Sequence, residues 1–309
     1  MTTAVSLWLV GLAAVAWYAA WALSTMAVGA SPWAYIVGAP LLYLAVLFAF
    51  TVLWFALAWA FRAERPREMR IGFAASTRLF RDEMRAIARS GPSMALYRFG
   101  MQDPAPAPAR APVLLLHGVL CNAGAMRDLR NDLLARNIGP VYLLSYGPPL
   151  ESIERFADQV AVKIDAIRAA TGASRVAILG HSMGGIVARA YLRRYGGEKV
   201  STVMTLGSPH HGSVHAWLFP GTSLAQLRRG NAWLADLNRA EVAPDGVRIV
   251  SLWSWHDSMV APQTSAELPG AVDMSMIGVG HNALLGDAEV FDHAHAEIDA
   301  ARADSRRAG

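Results

Sequence analysis

The sequence contains a serine flanked by glycines, in the pentapeptide GHSMG at residues 180–184. The apolar run RVAIL at 175–179 predicts a strand before it, and the amphipathic stretch at 183–195 predicts a helix after it. A serine at a strand-to-helix turn exposes its hydroxyl for nucleophilic attack, and the glycines let the helix pass close to the strand. A glycine-rich turn with an incidental serine is the alternative, but this context favours Ser182 as a nucleophile.

A serine hydroxyl is a weak nucleophile unless a base accepts its proton. Where a serine occupies this type of turn, an acid and then a histidine follow it along the chain. His281 lies in the loop sequence GVGHN, directly after the last predicted strand, whereas His293 and His295 fall in a C-terminal helical pattern. We therefore predict that His281 is the base and that the other two are solvated helix positions.

The acid is predicted to be Asp257, in the loop that follows a predicted strand at 247–253. Asp236 and Asp245 lie in an irregular region and Asp273 lies within the last strand, so these three remain alternatives. A carboxylate at Asp257 would hold the His281 imidazole in the required tautomer and stabilise its protonated form.

The oxyanion of a tetrahedral intermediate needs backbone N–H donors. The helix N-terminus offers the N–H of Met183, and the loop HGVLCN at 117–122 offers that of Val119. His117 is then a structural residue of this loop. Cys121, the only cysteine in the sequence, is interpreted as a small buried packing residue.

From residue 111 onward, predicted strands alternate with predicted helices. This order predicts an α/β fold with a mostly parallel sheet covered by helices. The strands are predicted at 113–116, 141–145, 175–179, 200–206, 247–253 and 272–277. The helices are predicted at 123–137, 151–170, 183–195 and 287–303.

Five sequence motifs carry a family resemblance: LLLHGVLCN, GHSMGG, TLGSPHHGS, DSMVAP and GVGHNALL. In this order and at these intervals they resemble the α/β-hydrolase superfamily, most of all bacterial triacylglycerol lipases and related esterases. The resemblance implies the α/β-hydrolase fold, a Ser182-Asp257-His281 triad, and an oxyanion loop containing the HG pair. No cofactor is expected, and we find no acidic cluster for the structural calcium of some such lipases.

The first 61 residues contain no Asp, Glu, Lys or Arg. Two apolar segments, at 6–30 and 33–61, each exceed the ~20 residues needed to cross a bilayer. The first lacks the basic start of a signal peptide and is too long for one. We predict a transmembrane helical hairpin over residues 1–61, which anchors the chain in the inner membrane through residues 6–61.

Eight arginines stand against four acids between residues 62 and 90, which accounts for the whole net charge of +4. By the positive-inside rule these arginines stay in the cytoplasm, and we expect the C-terminal domain there too. A helical pattern at 69–89 predicts an amphipathic segment lying along the membrane or capping the domain. With the Pro/Ala-rich stretch at 102–110 it forms a predicted juxtamembrane and linker region, 62–110. A nucleic-acid-binding face is not expected.

The catalytic domain is predicted to span 111–309, with a cap over the active site at about 213–245. Apolar residues beside the site are expected to contact an acyl chain or the bilayer. They are Leu120, Trp217, Leu218 and Phe219. The adjacent His210 and His211 could suggest a metal, but neighbouring side chains diverge and no third ligand is evident, so no metal is predicted.

These observations predict a membrane-anchored serine hydrolase that cleaves carboxylic esters, with lipid-like substrates favoured by its location. An acyl thioesterase with the same triad is one alternative. The other is a catalytically idle hydrolase fold that serves as a membrane scaffold, which the presence of Ser182, Asp257 and His281 disfavours.

Overall fold

One six-stranded parallel sheet forms the centre of the protein, in a computed structural model that describes residues 3–239 and 243–307. The strand order is β2-β1-β3-β4-β5-β6, and each neighbouring pair is parallel. The strands are β1 Val113–Leu116, β2 Val141–Leu144, β3 Val176–His181, β4 Val200–Leu206, β5 Arg248–Ser254 and β6 Val272–Met276. The predicted α/β fold and all six predicted strands are confirmed.

The inner strands consist of side chains that are buried on both faces of the sheet. Every residue of β1 and of β3 is buried. A parallel sheet covered by helices on both sides requires such continuous apolar strands rather than an alternating pattern. This requirement explains why short runs such as VLLL at 113–116 could be assigned from the sequence.

Helices cover both faces of the sheet and close the chain. After β1 these are α4 Arg127–Ala135, α5 Ile153–Thr171, α6 Met183–Tyr195, α7 Thr222–Gln226, α8 Ala232–Arg239 and α9 Ala288–Arg307. Helix α5 begins where the Ser152 side chain accepts from the Arg155 N–H and ends at Gly172, which is left-handed. The cap predicted at 213–245 contains a short 3-10 helix, Val214–Trp217, with α7 and α8, while its residues 240–242 lie outside the described residues.

Three helices precede the sheet: α1 Thr3–Met26, α2 Pro32–Ala60 and α3 Phe73–Ala95. The first two form a hairpin, in which the Tyr18 hydroxyl donates to the Tyr35 carbonyl over 2.9 Å. Both are long and apolar enough to cross a bilayer, a test that a signal sequence also passes. Only 6% of an 18-residue apolar stretch of α1 and 22% of the corresponding stretch of α2 is buried, which is unlike a core helix.

Helix α3 lies between this hairpin and the α/β domain. On one side Phe80 packs against Phe48, with 5.3 Å between ring centroids. On the other, the Asn122 amide donates to the Met94 carbonyl over 2.9 Å, and Glu83 is fully buried. Helix α3 therefore caps the domain, one of the two positions that its sequence pattern allowed.

The core under α5 provides a direct test of the packing. Ile164 is completely buried on this helix, while Val162, two residues away, is 73% exposed. We expect Ile164→Ala to lower the free energy of unfolding by about 2–5 kcal/mol, because it leaves a cavity. The control Val162→Ala should change it by less than about 0.5 kcal/mol. Urea unfolding of the detergent-solubilised chain measures both, and equal effects would contradict the assignment of this face.

Candidate active site

Ser182 occupies a strained turn between β3 and α6. Its backbone has φ 56° and ψ −125°, a conformation that side chains other than glycine rarely adopt. The turn is held by the Ser182 N–H, which donates to the Leu206 carbonyl of β4 over 2.8 Å. As a result the side chain stands at the end of the strand, partly exposed, at the N-terminus of a helix.

The glycines on either side of Ser182 are required by close packing. A Cβ at Gly180 would lie 2.5 Å from the Gly185 nitrogen, and one at Gly184 would overlap the Leu116 carbonyl oxygen. Helix α6 can therefore cross β3 and approach β1 only because both positions lack a side chain. This contact sets Ser182 beside the end of β1, where the strand order of the sheet reverses and open α/β sheets form their ligand crevice.

Asp257 and His281 form a buried pair at the same edge of the sheet. The His281 Nδ1 and the Asp257 Oδ2 are 2.8 Å apart, and both residues are 2% exposed. The other carboxylate oxygen, Oδ1, accepts the N–H groups of Met259 and Val260, each over 2.7 Å. The loops after β5 and β6 thus bring together the two residues that the sequence predicted as acid and base.

The pKa of His281 reflects its surroundings. Burial lowers this pKa, but the charge of Asp257, its hydrogen bond and the charge of Glu83 raise it, and the net pKa lies above the usual 6.5. The carboxylates therefore favour the protonated imidazole, which is the state that a histidine base reaches when it takes a proton from a serine.

His181 contacts His281 through its ring and through a hydrogen bond. Its Nε2 lies 3.0 Å from the His281 carbonyl oxygen, and the two ring centroids are 4.6 Å apart. Burial lowers the pKa of His181 to about 3, so its ring is neutral and its Nε2–H donates to that carbonyl. Because His181 directly precedes Ser182, this contact links the serine turn to the His281 loop.

The predicted oxyanion loop lies directly against Ser182. A Cβ at Gly118 would stand 3.0 Å from the Ser182 Cβ, and Val119, the next residue, is half-buried. Over residues 3–239 and 243–307, neither the Val119 nor the Met183 N–H has a hydrogen-bond acceptor. Both are thus available to an oxygen bound above the serine.

Residues 145–276 match the PGAP1-like alpha/beta domain family. Triacylglycerol lipases of Pseudarthrobacter phenanthrenivorans and Burkholderia plantarii are each 31% identical to this chain over 121 residues, which is 36% of the chain. The aligned part spans only 36% and 32% of those two lipases, about a third of their length.

Two solved lipases share the architecture. A mature Bacillus licheniformis lipase superimposes with a TM-score of 0.56 at 18% identity, covering 63% of this chain and 96% of the lipase. Aspergillus fumigatus lipase B also gives 0.56, at 21% identity, covering 65% of this chain and 56% of that lipase. The chain has the α/β-hydrolase fold. The fold that the sequence motifs implied is therefore confirmed.

The apolar residues predicted to contact substrate lie at the surface of the protein. Leu120 is exposed and has a positive φ of 55°. Trp217, Leu218 and Phe219 are exposed on the cap. The Arg228 guanidinium stacks on Trp217, with its Cζ 4.4 Å from the centroid of the Trp217 ring. The ring centroids of Phe219 and Trp54, a residue of α2, are 6.3 Å apart. The cap surface is therefore continuous with the apolar hairpin.

The alternative acid Asp273 has a structural role. Its carboxylate accepts from the Trp253 indole over 3.0 Å. Of the histidine pair, His210 contacts the Arg189 guanidinium through Nδ1 at 3.3 Å and the Thr205 hydroxyl through Nε2 at 3.1 Å. Within the described ranges, no three His, Cys, Asp or Glu side chains group to hold a metal.

The surroundings of the loop residues His117 and Cys121 are consistent with structural roles for both. The ring of His117 stacks on Tyr146, with 4.1 Å between centroids, and its carbonyl accepts from the Tyr146 hydroxyl. Burial raises the pKa of the Cys121 thiol to about 11, which disfavours the reactive thiolate.

Two residues near the site were not found from the sequence. Gln263 is buried, and its amide donates to the Asp257 carbonyl over 3.1 Å while its oxygen accepts the Ala63 N–H over 3.2 Å. Glu83 of α3 contacts the residues that directly follow Asp257 and His281. No local pattern marks Glu83, because its partners lie 175 residues or more along the chain, and the Ala63–Gln263 contact spans 200 residues.

The close approach at Gly184 can be tested by adding one methyl group. We expect Gly184→Ala to destabilise the fold by about 1–3 kcal/mol or more, because the methyl overlaps backbone atoms of β1 that cannot move aside. Gly11 of α1 has no atom within 4 Å of its Cβ position, so Gly11→Ala is the matched control and should be tolerated. Thermal unfolding followed by near-UV circular dichroism compares the two, and an unchanged melting temperature for Gly184→Ala would contradict the packing.

Proposed function

We propose that this α/β hydrolase cleaves carboxylic esters with Ser182 as nucleophile, His281 as base and Asp257 as the acid that orients it. The observation that carries the proposal is the buried Asp257–His281 pair, 2.8 Å apart, at the sheet edge where Ser182 stands in its strained turn. The similarity to lipases over 36% of the chain supports the same reaction class.

The proposed reaction begins when the Ser182 Oγ attacks the ester carbonyl carbon and His281 Nε2 accepts the hydroxyl proton. The carbonyl oxygen becomes an oxyanion, which the N–H groups of Val119 and Met183 stabilise. The tetrahedral intermediate then expels the alcohol, which takes the proton from His281, and leaves an acyl-serine. Water then attacks the acyl carbon, with His281 as its base. The second intermediate expels Ser182, which takes the proton back from His281, and the carboxylic acid departs.

Lipid-like esters are the substrates we favour. The exposed cap residues Trp217, Leu218 and Phe219 and the loop residue Leu120 provide apolar surface on the cap and on the oxyanion loop. Phe219 contacts Trp54, so this surface continues into α2. An ester with a long acyl chain would be able to bury that chain against it, with about 25 cal/mol gained for each Å² of apolar surface removed from water.

We also propose that α1 and α2 anchor the chain in a membrane, with the α/β domain in the cytoplasm. Apart from contacts such as Phe48–Phe80 and Trp54–Phe219, most of their apolar surface between Trp8 and Phe61 is exposed. The arginines that follow α2 favour the cytoplasmic side.

The serine role is tested by a substrate panel on the purified full chain. It should contain p-nitrophenyl esters, triacylglycerols, phospholipids and an acyl-CoA. We expect Ser182→Ala to lower hydrolysis by about 10⁴-fold or more and to abolish labelling by a fluorophosphonate probe. Ser174, exposed before β3, is the control, and Ser174→Ala should behave as wild type.

Equal labelling of wild type and Ser182→Ala would refute the proposal, and an unlabelled wild type would favour an idle hydrolase fold. Faster turnover of the acyl-CoA than of every ester would instead identify a thioesterase.

The orientation is tested with alkaline phosphatase, which is active only in the periplasm. Fused after residue 309 it should be inactive, because the even number of spans returns the chain to the cytoplasm. Fused within the turn at 27–31 it should be active, which controls for expression. Activity of the C-terminal fusion would reverse the orientation, and a soluble chain released from the membrane fraction by salt would refute the anchor.

A further inference from the structure

Glu83 is a charged residue in an environment that normally excludes charge. It lies on α3, a helix that also carries exposed arginines, yet its side chain is 0% exposed. Removing a carboxylate from water costs several kcal/mol unless its oxygens are fully hydrogen-bonded. The hydrogen-bond donors around the Glu83 carboxylate therefore indicate its role.

Four hydrogen bonds reach the Glu83 carboxylate, and all come from two loops. Oε1 accepts from the Ser258 hydroxyl at 2.6 Å, the Asn282 N–H at 3.1 Å and the Asn282 amide at 2.9 Å. Oε2 accepts from the Ala283 N–H at 2.9 Å. Every partner is a donor, as expected for an ionised carboxylate.

The positions of these donors are informative. Ser258 directly follows Asp257, and Asn282 directly follows His281. A single carboxylate from α3 thus joins the loop that carries the candidate acid to the loop that carries the candidate base. Gly280, on the other side of His281, comes so close that a Cβ there would overlap Oε2 of Glu83.

An ion pair does not explain Glu83. Over residues 3–239 and 243–307, no Lys, Arg or His side chain lies within salt-bridge distance of it. The neighbouring Asp82 differs, because it is only half-buried and pairs with Arg81 and Arg85 on the helix surface. The buried charge is compensated by the two active-site loops alone.

We propose that Glu83 is a positioning residue for the His281–Asp257 pair. It fixes the spacing between their two loops and places a second negative charge behind the imidazole. The catalytic consequence rests on the proposed function, whereas the effect on His281 itself does not. The site would then be incomplete in a chain that began at residue 111, because α3 supplies one of its parts.

The electrostatic part of this role depends on all the groups that face His281. Asp257 and Glu83 are the two carboxylates, and both raise the pKa of His281. His181 and His215 are the other titratable neighbours, and burial lowers the pKa of each, so both are neutral near pH 7. Without Glu83 the protonated imidazole would lose part of its compensation, and the pKa of His281 would fall.

The test compares Glu83→Gln with Asp82→Asn in the full chain purified in detergent. Both substitutions remove one negative charge from α3, but only Glu83→Gln places an amide N–H₂ group against the loop donors. With a soluble p-nitrophenyl ester we expect Glu83→Gln to lower kcat by about 10- to 100-fold with KM little changed, as for a misplacement of about 1 Å. The acidic limb of kcat/KM should move to lower pH, because a less basic His281 stays neutral further into acid. Asp82→Asn should match wild type in both.

Glu83→Asp tests the length of the side chain separately from its charge. It keeps the carboxylate but is one methylene too short for all four donors, so kcat should fall while the acidic limb stays closer to that of wild type. Variants that lose thermal stability but keep the kcat and acidic limb of Asp82→Asn would show that Glu83 is only structural, and the inference would be wrong.

NMR titration of ¹³C-labelled histidine, assigned with His281→Gln, gives a readout independent of catalysis. We expect the pKa of His281 to be lower in Glu83→Gln than in wild type and in Asp82→Asn. An unchanged pKa overturns the inference. If the wild type proves inert toward the substrate panel and the fluorophosphonate, the proposed function fails, and the titration still decides whether Glu83 acts on His281.

Discussion

The hydrogen bond between Asp257 and His281 is the interaction on which the rest of the site depends. A buried carboxylate must have its lone pairs satisfied, and here Oδ2 faces the imidazole while two backbone N–H groups fill Oδ1. Each of the two loops is also fixed by a further side chain. Gln263 holds the carbonyl of Asp257, and His181 holds the carbonyl of His281. The pair is thus the centre of a network that includes the serine turn.

The parallel sheet determines where this network can form. Because β3, β5 and β6 run in the same direction, their carboxyl ends meet at one edge, and residues far apart in sequence converge there. The strained backbone of Ser182 is stable only because Gly180 and Gly184 let α6 pack against β1 and β3. Local strain at the serine is therefore maintained by packing that extends through the core.

Much of this could be predicted from the sequence, because the signals are local. The strand–turn–helix pattern around Ser182 and the positions of Asp257 and His281 after their strands require only neighbouring residues to be recognised. Glu83 could not be found in this way, since its partners lie 175 to 200 residues away and its helix shows the arginine-rich pattern of a membrane-surface segment. The substrate-facing role of Trp217–Phe219 stays a prediction for a different reason, since exposed apolar side chains can contact either an acyl chain or the bilayer.

The energetics of Glu83 indicate why a helix next to the hairpin carries part of the site. Its four hydrogen bonds, at about 1.5–3 kcal/mol each for a charged acceptor, are of the same order as the several kcal/mol that burial of the charge costs. The carboxylate therefore adds little net stability. What an apolar side chain cannot supply is a fixed negative charge and a common acceptor for two loops. The segment just after α2 makes a similar contact: the Ala63 N–H donates to Gln263, whose amide donates to the Asp257 carbonyl. The N-terminal segment thus reaches the Asp257 loop and the His281 loop by two independent routes, which makes it part of the framework of the candidate site.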